Sequence, residues 1–151
     1  MINSYYLGIN NFYRGNMRLI IPGTPIAKKR PRFARRGKFV TTYNDQETEE
    51  SKFLFHVMQQ VKEKLNGPVV VEVGFYFRRP KGHFGTGRNE GKLKASAPKY
   101  HTVKPDSDNL VKFAFDCLNE VAWKDDTQVV RHLAEKIYDD EPRTEIFIKA
   151  I

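Results

Sequence analysis

The chain has 151 residues, 40% of them apolar and 29% charged, which fits one domain with its own core and excludes a disordered polypeptide. A single cysteine, Cys117, excludes a disulfide framework and a cysteine-based zinc site and suits a reducing cytoplasm; no apolar run nears membrane-spanning length, and no signal peptide opens the chain. The net charge of +8 is segregated: residues 1–103 hold 19 Lys or Arg against 7 acids, and residues 104–151 hold 7 against 11.

In chain order, residues 1–16 are polar and aromatic, and read as an N-terminal arm or a translation-start artefact. The domain proper is expected over 17–151, opening with the strand-like RLIIPGTP. Next comes AKKRPRFARRGKF, with seven cations and no acid between Lys28 and Lys38. Pro31 and Gly37 argue for a loop there. Lys28, Lys29, Arg30, Arg32, Arg35, Arg36 and Lys38 are candidate phosphate contacts, where released counterions would supply affinity without regard to base sequence.

NDQETEESKFLFHVMQQVKEKLNG predicts a helix. Acids fill its start, where the helix dipole favours them, and Phe53, Val57 and Leu65 fall on one stripe. PVVVEVGFYFRRP predicts a strand whose core face is Val69, Val71, Val73, Phe75 and Phe77, with Glu72 solvated on the other face. Residues 80–105 show no regular pattern; glycines alternate there with basic residues, and Arg88 and Lys92 join the candidate nucleic-acid contacts. Asn109 to Trp123 predicts a second helix with Cys117 as a small residue of its apolar face. A strand follows, then DDEPR as a solvated hairpin turn, then the closing strand TEIFIKAI. The class is α+β: a small mixed sheet with two main helices, in a single domain.

The chemistry concentrates in KPDSDNL, residues 104–110. On extended backbone Asp106 and Asp108 point to one face, and two such carboxylates repel unless a cation lies between them. Asp108 as an N-cap, or both acids favouring the helix dipole, is the simpler reading; capping explains one acid well and the pair poorly. A second pair, Asp125 and Asp126, follows the helix, and a strand running back can return Asp126 toward the first two. Three carboxylates facing one spot suit a hard cation, Mg²⁺ or Mn²⁺. Lys112, one turn beyond Asp108, reads either as an i, i+4 ion pair or as an ammonium that steadies charge on a phosphate. The reaction implied is metal-assisted phosphodiester hydrolysis.

The stretch KPDSDNLVKFAFDCLNEVAWKDDTQV resembles the signature of the RusA-like Holliday-junction resolvases, small endodeoxyribonucleases of bacteria and their phages. That signature runs D-x-D-N-L-x-K, a helix with a D-x-L step, then W-x-D-D-x-Q-V, matched here by Asp106, Asp108, Asn109, Leu110 and Lys112, by Asp116 and Leu118, and by Trp123, Asp125, Asp126, Gln128 and Val129. The resemblance implies metal on Asp106, Asp108 and Asp126, a catalytic Lys112, and a supporting Asp125. The spacing between helix and acid pair varies by one residue, which keeps Asp125 as the alternative third ligand. It also implies a homodimer that resolves branched, four-way DNA by paired nicks in recombination and repair. Two rival readings stand beside it: a non-enzymatic basic nucleic-acid-binding module, and a metal-dependent nuclease of flaps or forks.

Overall fold

The computed structural model describes residues 16–151; the expected arm lies outside them apart from Asn16, which opens the first strand. Strand β1 (Asn16–Pro22) is followed by β2 (Arg32–Arg36), β3 (Phe39–Tyr43), helix α1 (Glu47–Gln60), strand β4 (Val69–Arg78), helix α2 (Ser107–Leu118), and strands β5 (Val129–Asp139) and β6 (Arg143–Ala150). Four strands form one mixed sheet in the order β1-β6-β4-β5, while among the described residues β2 and β3 pair only with each other. The α+β expectation holds.

β4 sits inside the sheet because its sequence is almost continuously apolar. Such a run suits a strand covered on both faces and paired on both sides. Val69, Val71, Val73, Phe75 and Phe77 are buried, as their alternation predicts. The register puts Ile146 and Ile148 of β6, then Leu19 of β1, on that same face. Both helices pack there; Phe53 of α1 meets Phe113 of α2 edge-on at 5.5 Å. Burying each such side chain contributes roughly 1.5–3 kcal/mol. Glu72, on the opposite face, is half-buried rather than solvated; burial and then the nearby Glu135 push its carboxyl above the ordinary glutamate range.

Four expectations need correction. The basic run is not all loop: residues 32–43 fold as the β2–β3 hairpin, Arg36 opposite Phe39, with Gly37 at φ 61° in the first turn position, a conformation glycine adopts without strain. α1 stops at Gln60; Val61 turns extended, and Leu65 is buried instead by running beside Trp123. α2 stops at Leu118, because Glu120 takes φ 65° and Trp123 folds under, its indole N–H donating to Asn119 Oδ1 at 2.7 Å. Finally, β5 and β6 are no hairpin. β4 lies between them, so DDEPR carries the chain across the end of β4. Alternation marks strands but not their neighbours. Nor is this acid turn simply solvated: Arg143 bridges Asp139 and Glu145, each at 2.7 Å.

The connection 80–105 is ordered by its own hydrogen bonds. Gly85 N–H donates to Lys92 C=O and Lys94 N–H to His83 C=O, both at 2.9 Å. Its last part runs beside β5. Tyr138 N–H donates to Lys99 C=O and His101 N–H to Lys136 C=O, both at 3.0 Å, which satisfies part of an otherwise open sheet edge. Cys117 is partly buried, and burial pushes its thiol up to about 12.

Candidate active site and nucleic-acid interface

Pro105 leads the chain into α2 with Asp106 at the N-cap, on extended backbone, and Asp108 in the first turn. Asp106 accepts the first helical bond through its backbone C=O, from Leu110 N–H at 3.2 Å, and its carboxylate caps nothing. Capping therefore accounts for neither acid. Neither carboxylate has a hydrogen bond or ion pair among the described residues, and both residues are exposed. With Lys104, Pro105 and Asn109, Asp106 lines an open hollow of about 480 Å³. A second cavity of about 570 Å³ lies between the end of β1 and α1, away from these acids.

The second acid pair divides its labour. Asp125 is an N-cap: it accepts Thr127 N–H at 2.8 Å, while the Gln128 side chain accepts the backbone N–H of Asp125 and of Lys124. The Thr127 bonds hold the Asp125 carboxyl below the ordinary aspartate range. Asp126 has no such use. Burial, then the negative charges of Asp125 and of Asp116 on α2, push its carboxyl above that range.

These carboxylates are not gathered into one cluster. Among the described residues no group of three His, Cys, Asp or Glu side chains stands close enough to hold a metal ion. Asp106 and Asp108 sit at the start of α2, and Asp126 is electrostatically coupled to Asp116, two turns further along that helix, a rise of about 12 Å. The donor chemistry nevertheless fits a hard cation: the three acids offer only oxygen, none is used as a cap, and one already suffers like-charge repulsion. Lys112 is exposed and forms no ion pair with Asp108, so the expected i, i+4 pair is not made.

Two signature residues are scaffolding. Trp123 is fully buried behind the acid turn, and Gln128 Nε2 donates to Leu65 C=O at 3.1 Å and to Gly67 C=O at 2.9 Å, bolting that turn to the start of β4. Gln128→Ala should remove these bonds, only that to Leu65 part-buried, and cost about 0.5–1.5 kcal/mol. It should appear as a lower urea midpoint at unchanged slope; an unaltered midpoint would contradict the clamp.

The seven cations of the basic run have two different jobs. Lys28 Nζ lies 3.2 Å from both Glu50 of α1 and Asp116 of α2, and its N–H donates to Asn109 C=O at 2.9 Å. Burial lowers its pKa, but the two carboxylates outweigh that and leave it raised. Lys29 pairs with Glu49, and Arg32 with Asp45. Buried Gln46 completes the fastening, accepting Lys29 N–H at 2.7 Å and donating to Ala27 C=O at 2.8 Å. Nothing in the sequence singled out Gln46, since a buried glutamine before a helix looks like any polar helix start. Arg30, Arg35, Arg36 and Lys38 are exposed and without ion pairs among the described residues, as are Arg88 and Lys92 in the long connection.

Residues 22–149 match the family described as Endodeoxyribonuclease RusA. The chain is also similar to YqaN of Bacillus subtilis (strain 168), an uncharacterized protein, with 31% identity over 142 residues that cover 89% of this chain and 96% of the relative. The family match spans every strand of the sheet in part or whole, both helices and all of the signature acids. The chain belongs to the RusA endodeoxyribonuclease family.

Proposed function

We propose that this protein is a divalent-metal-dependent endodeoxyribonuclease that resolves four-way DNA junctions by paired symmetric nicks, in recombination and repair. One observation carries the reading within this nuclease family: of the four acids in the signature's two pairs, Asp125 is consumed by a cap, while Asp106, Asp108 and Asp126 hold no ion pair or helix cap among the described residues. Asp126 is repelled by Asp125 and Asp116, and a bound cation would relieve that repulsion.

Asp106, Asp108 and Asp126 would hold Mg²⁺, or Mn²⁺ in its place, which supplies Lewis-acid polarisation of the phosphate and a more acidic water. Lys112, without an ion pair among the described residues and one turn from Asp108, would meet the charge developing on the phosphate. Arg35, Arg36 and Lys38, with Arg88 and Lys92, would hold flanking phosphates and set the position of the strand. Two opposed nicks in a symmetric junction need two sites, which a twofold homodimer supplies. A cytoplasmic enzyme can carry Cys117 reduced, its thiol pushed up to about 12.

The test is a synthetic four-way junction beside linear duplex and flap substrates, with Mg²⁺. Paired nicks at symmetric positions in the junction are expected. Binding without cutting, in Mg²⁺ and in Mn²⁺, would overturn the enzyme reading, and faster cutting of flaps would overturn the junction preference.

A further inference from the structure

The β2–β3 ribbon is built unlike the rest of the chain. Every residue of β2 is exposed, and the ribbon pairs with no strand of the main sheet. Yet it displays Phe33 at 72% exposure, Phe39 at 80% and Val40 at 62%. Among the described residues these rings are mostly uncovered, and an isolated hairpin stabilises little on its own. Exposed aromatic surface of this kind marks a contact site.

The register says what kind of contact. Arg36 lies opposite Phe39, on one face of the ribbon; Arg35 lies opposite Val40, on the other face with Phe33. Each face therefore joins an aromatic or apolar side chain to an arginine. Arg35, Arg36 and Lys38 have no ion pair among the described residues, and no acid occurs between Lys28 and Lys38. A protein partner met through such a surface would need matching acids. A nucleic acid offers phosphates for the cations and base faces for the rings. In intact duplex those faces are stacked on one another. At a branch, bases become unstacked and can lie against an aromatic ring.

We propose that Phe33 and Phe39 stack on unpaired bases at a DNA branch, making the ribbon the element that distinguishes branched DNA from duplex. The root of the ribbon supports this role. Lys28 ties it to Glu50 and to Asp116, and its backbone to Asn109, the residue after Asp108. A branch held on the ribbon is thus registered against the helix that carries Asp106, Asp108 and Lys112. The inference rests on the nuclease reading for its choice of branched DNA, but its test does not depend on cleavage.

Binding is measured by fluorescence anisotropy in an Asp108→Asn background. Substrates are a four-way junction, a single-stranded oligonucleotide and a linear duplex; 2-aminopurine at the branch point reports stacking. Combined Phe33→Ala and Phe39→Ala should weaken junction and single-strand binding about tenfold or more per ring and abolish the branch-point quenching, with duplex affinity and salt slope within twofold of the parent. Combined Arg35→Ala and Arg36→Ala should weaken all three substrates and flatten the salt slope. Phe→Tyr at both positions should restore discrimination. Equal weakening on duplex, or no weakening anywhere, would overturn the proposal. So would a change in sedimenting mass at unchanged DNA affinity, since the rings would then cover a protein interface. If branch-point quenching is seen but the unmodified protein never cuts, the ribbon inference stands and the enzyme reading falls.

Discussion

Asp108→Asn is expected to reduce nicking of a four-way junction by roughly 10²–10³ or more while leaving junction binding intact. The size follows from the role. A metal positioned at a scissile phosphate supplies several kcal/mol of charge stabilisation, and each 1.4 kcal/mol is a factor of ten. Asparagine keeps the shape of the side chain but not its charge, so it weakens a hard-cation ligand specifically. The fold has little to lose. Asp108 is exposed and makes no hydrogen bond or ion pair among the described residues. Removing one negative charge beside a polyanion should strengthen binding slightly, which separates this outcome from misfolding. Gel-based cleavage and anisotropy on the same preparation check both halves. Activity retained within tenfold, in Mg²⁺ and Mn²⁺ alike, would remove Asp108 from the metal site.

The sequence displayed what depends on local periodicity and concealed what depends on long-range pairing. β4 is legible because Val69, Val71, Val73, Phe75 and Phe77 alternate on a short apolar run, and the body of α2 because Leu110, Phe113, Ala114 and Leu118 recur at helical spacing. The neighbour relation of β5 and β6 is not legible, since the insertion of β4 between them is decided by burial on both of its faces. The hairpin at 32–43 was hidden for another reason. Residues 32–42 are all exposed, so no hydrophobic pattern betrays its strands, and only Gly37 marks the turn. Within the site, residue types announced the acids, but roles had to come from geometry. Asp125 and Asp126 are chemically identical in the sequence. A capping box holds Asp125 and leaves Asp126 out of it, a structural difference that residue type does not show. Likewise Lys28 looked like any member of a basic run until its ion pairs made it part of the scaffold.

That difference makes Asp126 the position where stability and function should oppose each other. Its carboxyl is raised above the ordinary aspartate value of 3.8, by burial first and then by Asp125 and Asp116. A group that binds its proton more tightly folded than unfolded stabilises the fold when protonated. That contribution is full below 3.8 and fades as pH climbs through the raised folded value. At neutral pH ionised Asp126 is therefore a local burden, and Asp126→Asn should melt slightly higher than the parent. The repulsion is screened by solvent, so the gain is at most ~0.5 kcal/mol, or ~1–2 °C for a domain of this size. Metal reverses the order. At a concentration near 100 times its dissociation constant, a cation held by the folded state alone adds ~2.7 kcal/mol, which should raise the melting temperature of the parent by ~5–10 °C. Asp126→Asn should lose most of that increment, together with cleavage. Asp125→Asn should keep the increment, because asparagine also serves as an N-cap. Calorimetry of the three proteins with and without Mg²⁺ decides the matter. An increment lost at Asp125 and kept at Asp126 would exchange their roles.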